Sequence, residues 1–369
     1  MTLQVPAFDT KELEIAGEIP PMFWRPLTRL YTYPFSMRDA LLALYKERQG
    51  IWQLSGIETR IFTPRMYPDN VARALVFESR PFDADTEGGG RDSFGVNWVY
   101  VPVAMGSMED PEEGPWMDDA NDWREHVHFP DLDAWDWKGS AAENNGAYLD
   151  TRLANAVWFQ TGFFERLISF MGFEDASVAM IDEDQEDAVK ELMLELAHYY
   201  TRLIDRFDEE FENIDGFYIH DDWGSAKATF IDPDRIAEII VPAMRIVTDH
   251  LHSRGLYAEF HSCGCNYRQV PNMIAAGWDV WQPQGNVNDV DKIYREYGDK
   301  ILIGVPAKYD VEGSTEEEQR AAAREYALKY CNPEKPSFLN GVDSGAALTP
   351  AFMEELYICS RKLYAGESI

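Results

Sequence analysis

Between residues 258 and 265 the chain reads AEFHSCGC, which sets one carboxylate, one imidazole and two thiols, Glu259, His261, Cys263 and Cys265, into a short stretch. Three readings of that set are open. Imidazole nitrogen and thiolate sulfur are ligands for a transition metal. Two thiols can cycle as a redox pair, but only Gly264 separates them here, whereas the familiar redox spacing has two residues between. The plain alternative is the polar end of an ordinary strand. Residues two apart in a strand point to the same side, so Glu259, His261 and Cys263 share one face and Ser262 takes the other.

A second polar group ends the apolar run IDGFYIHDD at residues 214 to 222. Alternation sends one of Asp221 and Asp222 toward a pocket and the other toward the flanking layer. A carboxylate there can bind metal, hold a substrate cation or act as a general acid; it can equally cap the next turn or pair with a buried arginine. His220, just before the pair, either faces the same mouth or packs behind it. Gln282 and Gln284 bracket Pro283 in VWQPQ and can offer amide donors and acceptors to a ligand, with Asn286 and Asn288 in the loop that follows. His126 and His128 have a metal-like spacing but stand in an acidic loop, and they read as surface. Cys331 and Cys359 lie in or beside helical patterns and read as small core residues.

The elements that must position these residues become regular from about residue 150. Helical patterns at LANAVWFQTGFFERLISFMGF and EDAVKELMLELAHYYTRLIDRFDEEF lead into the strand-like IDGFYIHDD. A helix over DPDRIAEIIVPAMRIVTDHLHSRG, capped by Asp232 or Asp234, precedes LYAEFHSCG; then VPNMIAAG, WDVWQPQ, VDKIYREYGDK and ILIGVP follow as helix, strand, helix and strand. Residues 1 to 140 are irregular, rich in Pro, Asp and Trp, with one helix at MRDALLALYKERQG closed by Gly50. Repeated strand and helix units without a GxGxxG favour a (β/α)8 TIM-type barrel over a dinucleotide-binding sheet. GGGRDS, at 88 to 93, lacks the Lys-Ser/Thr ending of a phosphate loop. In a barrel, polar residues at the C-terminal ends of strands build the active site, and the three polar groups above all end strands.

Composition narrows the partners. Lys+Arg 33 against Asp+Glu 65 gives a net charge of -32, spread along the chain, so a phosphate backbone or an anionic membrane would be repelled. The first residues are acidic where a signal peptide needs a basic start, and no run approaches ~18 apolar residues, so a cytoplasmic protein is expected. Four cysteines in 369 residues do not make a disulfide framework. Trp98, Trp116, Trp123, Trp135 and Trp137 crowd one irregular stretch, where bulky aromatics either fill core space under loops or line a hydrophobic lid.

FGVNW (94 to 98), FFERLISFMGFE (163 to 174), DGFYIHDDWG (215 to 224), HSCG (261 to 264), GWDVWQPQ (277 to 284) and LTPAFMEEL (348 to 356) resemble the uroporphyrinogen decarboxylase superfamily. The resemblance is closer to its corrinoid-linked methyltransferase branch than to the haem-pathway decarboxylase. It implies one uroporphyrinogen decarboxylase-like domain over 1–369, with residues 1–75 as an N-terminal extension or lid and 76–369 as the barrel. Decarboxylases of the family carry an arginine-rich N-terminal motif; here only Arg25, Arg29 and Arg38 are scattered through that region, so porphyrin decarboxylation is not expected.

In the methyltransferase branch a zinc ion is held by a His-x-Cys pair and a distant cysteine, and the methyl group passes to or from the cobalt of a corrinoid carried on a separate protein. His261 and Cys263 match the pair. Asp343, in GVDSGAALTP, stands where the resemblance calls for the third ligand, so a His261, Cys263, Asp343 site is expected, with Glu259 able to join it or to contact substrate. A carboxylate in place of a thiolate gives a more Lewis-acidic ion, suited to the methyl-donor side of the reaction. The expected activity moves a methyl group from a small methylated donor, such as a methoxylated aromatic, to a corrinoid carrier protein. Asp221 or Asp222 would serve as acid or extra ligand, and Gln282, Gln284, Asn286 and His220 would contact substrate. Transfer from methyl-corrinoid to tetrahydrofolate or a thiol, and a non-catalytic corrinoid- or aromatic-binding barrel, remain as alternatives. Barrels of this family often pair, which leaves a homodimer open.

Overall fold

A computed structural model describes residues 3–21 and 26–369, so Arg25 lies outside the described residues. The chain divides into two compact units. Residues up to Arg60, Arg152–Ala154 and Asp279–Ile369 form the first; Ile61–Thr151 and Asn155–Trp278 form the second.

The second unit is built on the strands Ala154–Phe159, Ile214–His220 and Tyr257–Ser262, paired in parallel in that order. They are buried on both faces, as parallel strands covered by helices must be, with Asn155, Asp215 and Glu259 as buried polar residues among apolar neighbours and half-buried His220 and His261 toward the C-terminal ends. Helices Phe163–Ala179 and Glu186–Glu210 connect the first two strands; Pro233–Ile239 and Val241–Ser253 connect the second pair. In the longest helix Leu192, Leu196, Leu203 and Phe207 recur on one buried stripe, and Phe207 meets Phe159 and Phe217 of the strands at ring separations of 6.0 and 6.2 Å.

Two local expectations change. LANAVWFQ is a strand, not the start of a helix, because its Val157, Trp158 and Phe159 favour a pleated surface and the helix begins only after Gly162. The helix expected over residues 232 to 255 is broken at Ile240, where Pro242 limits continuation; Asp232 caps its first part by accepting from Asp234 N at 3.0 Å.

The region before residue 140 holds more regular structure than its composition suggests. Gly90–Arg91, Asn97–Val101 and Gly106–Glu109 form an antiparallel ribbon. Behind it Arg166 is fully buried, ion-paired with both Asp69 and Asp92 and lying over the Phe94 ring at 4.7 Å. Trp98, Trp123 and Trp137 are buried and Trp116 and Trp135 half-buried, stacked on Phe170 and Trp137 respectively.

The first unit repeats the pattern with parallel strands Val280–Pro283, Leu302–Val305 and Phe338–Leu339 and helices Val290–Tyr297, Glu316–Tyr330 and Pro350–Tyr364. Its N-terminal segment is anchored through Glu12, which accepts from Arg361 Nε at 2.8 Å, Arg361 Nη2 at 2.9 Å and Tyr357 Oη at 2.6 Å. Cys331 and Cys359 are buried in this unit. Parallel strands alternating with helices in both units make a TIM-like α/β fold. Among the described residues, no helix is long and apolar enough to cross a membrane.

Candidate metal centre

His220 and His261 are register partners in adjacent parallel strands. Each is followed two residues later by a second ligand type, Asp222 after His220 and Cys263 after His261, so the strand period of two repeats the same His-x-ligand pair side by side. The imidazoles stack with centroids 5.2 Å apart and planes 12° from parallel. His220 Nε2 lies 3.3 Å from Asp222 Oδ1, and His261 Nε2 lies 3.1 Å from Cys263 Sγ. One ligand atom from each of the four residues falls within 4.8 Å of every other.

That donor set fits zinc. Bonds of about 2.0 Å to nitrogen or oxygen and 2.3 Å to sulfur put tetrahedral ligands roughly 3.3 to 3.5 Å apart, close to the two contacts above. Two nitrogens, one carboxylate oxygen and one sulfur are ligand types that zinc accepts. All four side chains are half-buried, so the group is shielded but reachable.

The loops that carry these residues are clamped to each other. Asp221 N donates to His261 O at 3.1 Å, Trp223 N to Ser262 Oγ at 3.0 Å and Cys265 N to Ser225 O at 2.7 Å, while Cys263 N donates to Asp222 Oδ1. Glycine is required at the crossing. Gly264 has φ of 90°, and a Cβ there would sit 2.0 Å from Gly224 O. The HSCG and DDWG glycines therefore permit backbone contact between the two ligand loops.

Asp221 and Asp222 separate as alternation requires. Asp222 joins the ligand group. Asp221 is fully buried beneath the helix Phe163–Ala179, where Oδ1 accepts from Glu165 N at 2.9 Å and Oδ2 from Phe164 N at 3.2 Å and Trp223 Nε1 at 2.8 Å. It caps a helix whose own N-cap, Gly162, has no side chain to do so, and Gly162 is needed because a Cβ would lie 2.4 Å from Asp221 Cβ. Burial, with the neighbouring Glu165 charge, pushes the Asp221 carboxyl up to about 7 against those three donors.

His220 is held from two sides, with Nδ1 2.9 Å from Glu165 Oε2. Burial alone would lower its pKa, but Glu165, the Cys263 contact and Asp222 outweigh it and raise the imidazole well above its ordinary value. Burial also raises the Cys263 thiol, offset in part by His220. A metal held by this group would have to displace those protons. Glu259, one turn of the pleat before His261, is buried opposite Tyr218; after burial itself, its charge is the main cause that raises the Tyr218 phenol.

Gln282, Gln284, Asn286, Asn288 and Asp343 lie in the first unit. Asp343 is half-buried and accepts from Gly285 N at 2.7 Å and Asn340 Nδ2 at 2.9 Å. Gln282 and Gln284 are half-buried at the end of their strand, Asn286 is exposed, and buried Asn288 donates to Gln284 O at 2.9 Å. His126 and His128 are exposed. Cys265 is a free thiol outside the group of four. Sequence reasoning missed Glu165 and, beyond it, Arg73, whose Nη2 stands 3.9 Å from Glu165 Oε1.

No protein-family model matches the chain, and no curated protein gives a significant match. Among solved structures it is similar to a methyltransferase from Methanosarcina mazei, with a TM-score of 0.50 at 13% sequence identity over 89% of this chain and 98% of that one. A chitinase from Chromobacterium violaceum matches with a TM-score of 0.28 at 11% identity over 56% of this chain and 80% of that one, too weak to carry an argument. At 13% identity the likeness to the methyltransferase is one of fold.

Proposed function

We propose that this protein is a zinc-dependent methyltransferase of the uroporphyrinogen decarboxylase type, built on an eight-stranded barrel, which takes a methyl group from a small methylated oxygen compound and gives it to the reduced cobalt of a corrinoid carrier protein. The observation that carries the reading is the convergence of His220, Asp222, His261 and Cys263. The fold likeness to a methyltransferase and the HSCG and DDWG motifs support the class of reaction.

In this reading the ligand group differs from the sequence expectation. His220 and Asp222, from the neighbouring strand, complete the group in place of the single third ligand expected from Asp343. Zinc held there would act as a Lewis acid toward the donor's oxygen. The chain's own residues hold the ligand atoms on two clamped strand ends, and half-burial limits water around the reacting oxygen. Atoms balance simply. With reduced corrinoid as the methyl acceptor, the cobalt electron pair would form the bond to the methyl carbon, the carbon–oxygen pair would leave with the oxygen, and the oxygen would take up a proton from solvent.

The test is anaerobic incubation of zinc-loaded protein with cob(I)alamin and a panel of methoxylated aromatics, following conversion to methylcobalamin by absorbance. Donor-dependent conversion, abolished in His261→Ala, supports the reading. Demethylation of methylcobalamin by tetrahydrofolate, with no donor reaction, would instead assign the opposite direction, and inactivity in both directions would favour a binding barrel.

A further inference from the structure

We infer that Glu165 is the positioning residue that presents Nε2 of His220 to the ligand group; the inference rests on the metal reading of that group. Glu165 is the third residue of the helix Phe163–Ala179, and its N–H donates to Asp221 Oδ1 at 2.9 Å. Its backbone is therefore pinned to the same strand end that carries His220 and Asp222. Its side chain is 14% exposed, as is that of His220, and Oε2 meets His220 Nδ1 at 2.9 Å.

An imidazole with Nδ1–H donated to a carboxylate keeps its lone pair on Nε2, the atom 3.3 Å from Asp222 Oδ1. The same edge contact, together with the stacking of one ring face on His261, fixes the ring's rotation. Glu165 does not act alone. Arg73 Nη2 stands 3.9 Å from its second oxygen, and Arg73 is itself held by Thr161 Oγ1 at 3.3 Å and by the Trp98 ring, 4.6 Å beneath the guanidinium. Thr161 precedes Gly162 at the end of the first strand, so the chain Arg73, Glu165, His220 links three separate elements behind one ligand.

The experiment compares zinc affinity, by chelator competition at fixed pH, for the wild type and Glu165→Gln, with the visible spectrum of the cobalt(II)-substituted forms and the unfolding midpoint of both metal-free proteins. Glu165→Gln keeps the side chain's shape and removes its charge. The expected result is a roughly 10- to 100-fold loss of zinc affinity and an altered cobalt spectrum, with the metal-free midpoint close to wild type. Unchanged affinity and spectrum would overturn the inference. Should Glu165→Gln fail to fold, Arg73→Gln is measured in the same way; it is expected to weaken zinc in the same direction, and wild-type affinity there would overturn the inference. A wild type that binds no zinc overturns the metal reading itself, a result distinct from failure in the variant alone.

Discussion

His220 and His261 face each other across adjacent parallel strands with ring centroids 5.2 Å apart. Because both are followed by a ligand at the second position, one register pairing sets all four donors. The two strand ends thus bring together four side chains that could hold a metal ion.

The crossing of the ligand loops gives the first prediction. Gly264→Ala places a side chain 2.0 Å from Gly224 O in a backbone conformation with φ of 90°. Moving either loop displaces Cys263 or Asp222. The variant should lose at least about 2 kcal/mol of stability and bind zinc weakly, measured by denaturant unfolding and metal analysis.

Neighbouring aspartates should behave differently. Asp221→Asn replaces one acceptor of a fully buried helix cap and should cost about 1–2 kcal/mol while zinc stoichiometry is kept. Asp222→Asn should leave stability nearly unchanged and reduce zinc affinity. Equal effects on both properties in the two variants would contradict the assignment of Asp221 to the cap and Asp222 to the site.

Arg166 neutralises Asp69 and Asp92 with none of the three side chains more than 1% exposed. Arg166→Met leaves two carboxylates buried without their cation, and a loss of about 3–5 kcal/mol is expected. Asp69→Asn combined with Arg166→Met should recover part of it. The measurement is the urea midpoint of the single and double variants.

Acid should loosen the N-terminal anchor. Burial raises the Glu12 carboxyl, but the Arg361 and Tyr357 hydrogen bonds outweigh it and hold its pKa below 4.5. A depressed folded-state value means that the contribution is complete above the unfolded value and is lost as pH falls through the folded one. Glu12→Gln should be less stable than wild type at pH 7, and the gap should shrink as pH falls through the ordinary carboxylate range and below it. Thermal unfolding across that range checks it.

Part of this candidate group is legible in the sequence, and what is not has physical causes. His261 and Cys263 are recognisable because a His-x-Cys spacing on a strand fixes both on one face. Alternation also separates Asp221 from Asp222, though not which one faces the site. His220 looked ambiguous because its role depends on register with the next strand, and register is a pairing between segments 41 residues apart that no local pattern encodes. Glu165 was hidden by a misread element. A single helix over LANAVWFQTGFFERL puts Glu165 in mid-helix; with Ala154–Phe159 a strand, Glu165 lies in the first turn of the helix after a strand end, where barrel active sites are built. Asp343 rests on the family resemblance alone, and it accepts hydrogen bonds from Gly285 N and Asn340 Nδ2.

The most direct test of the account is the zinc content of protein purified without air, for the wild type and for Asp222→Ala, His261→Ala and Asp343→Ala. The account predicts about one zinc per chain in the wild type and in Asp343→Ala, and loss in Asp222→Ala and His261→Ala. Zinc absent from the wild type, or lost in Asp343→Ala and retained in Asp222→Ala, would contradict it.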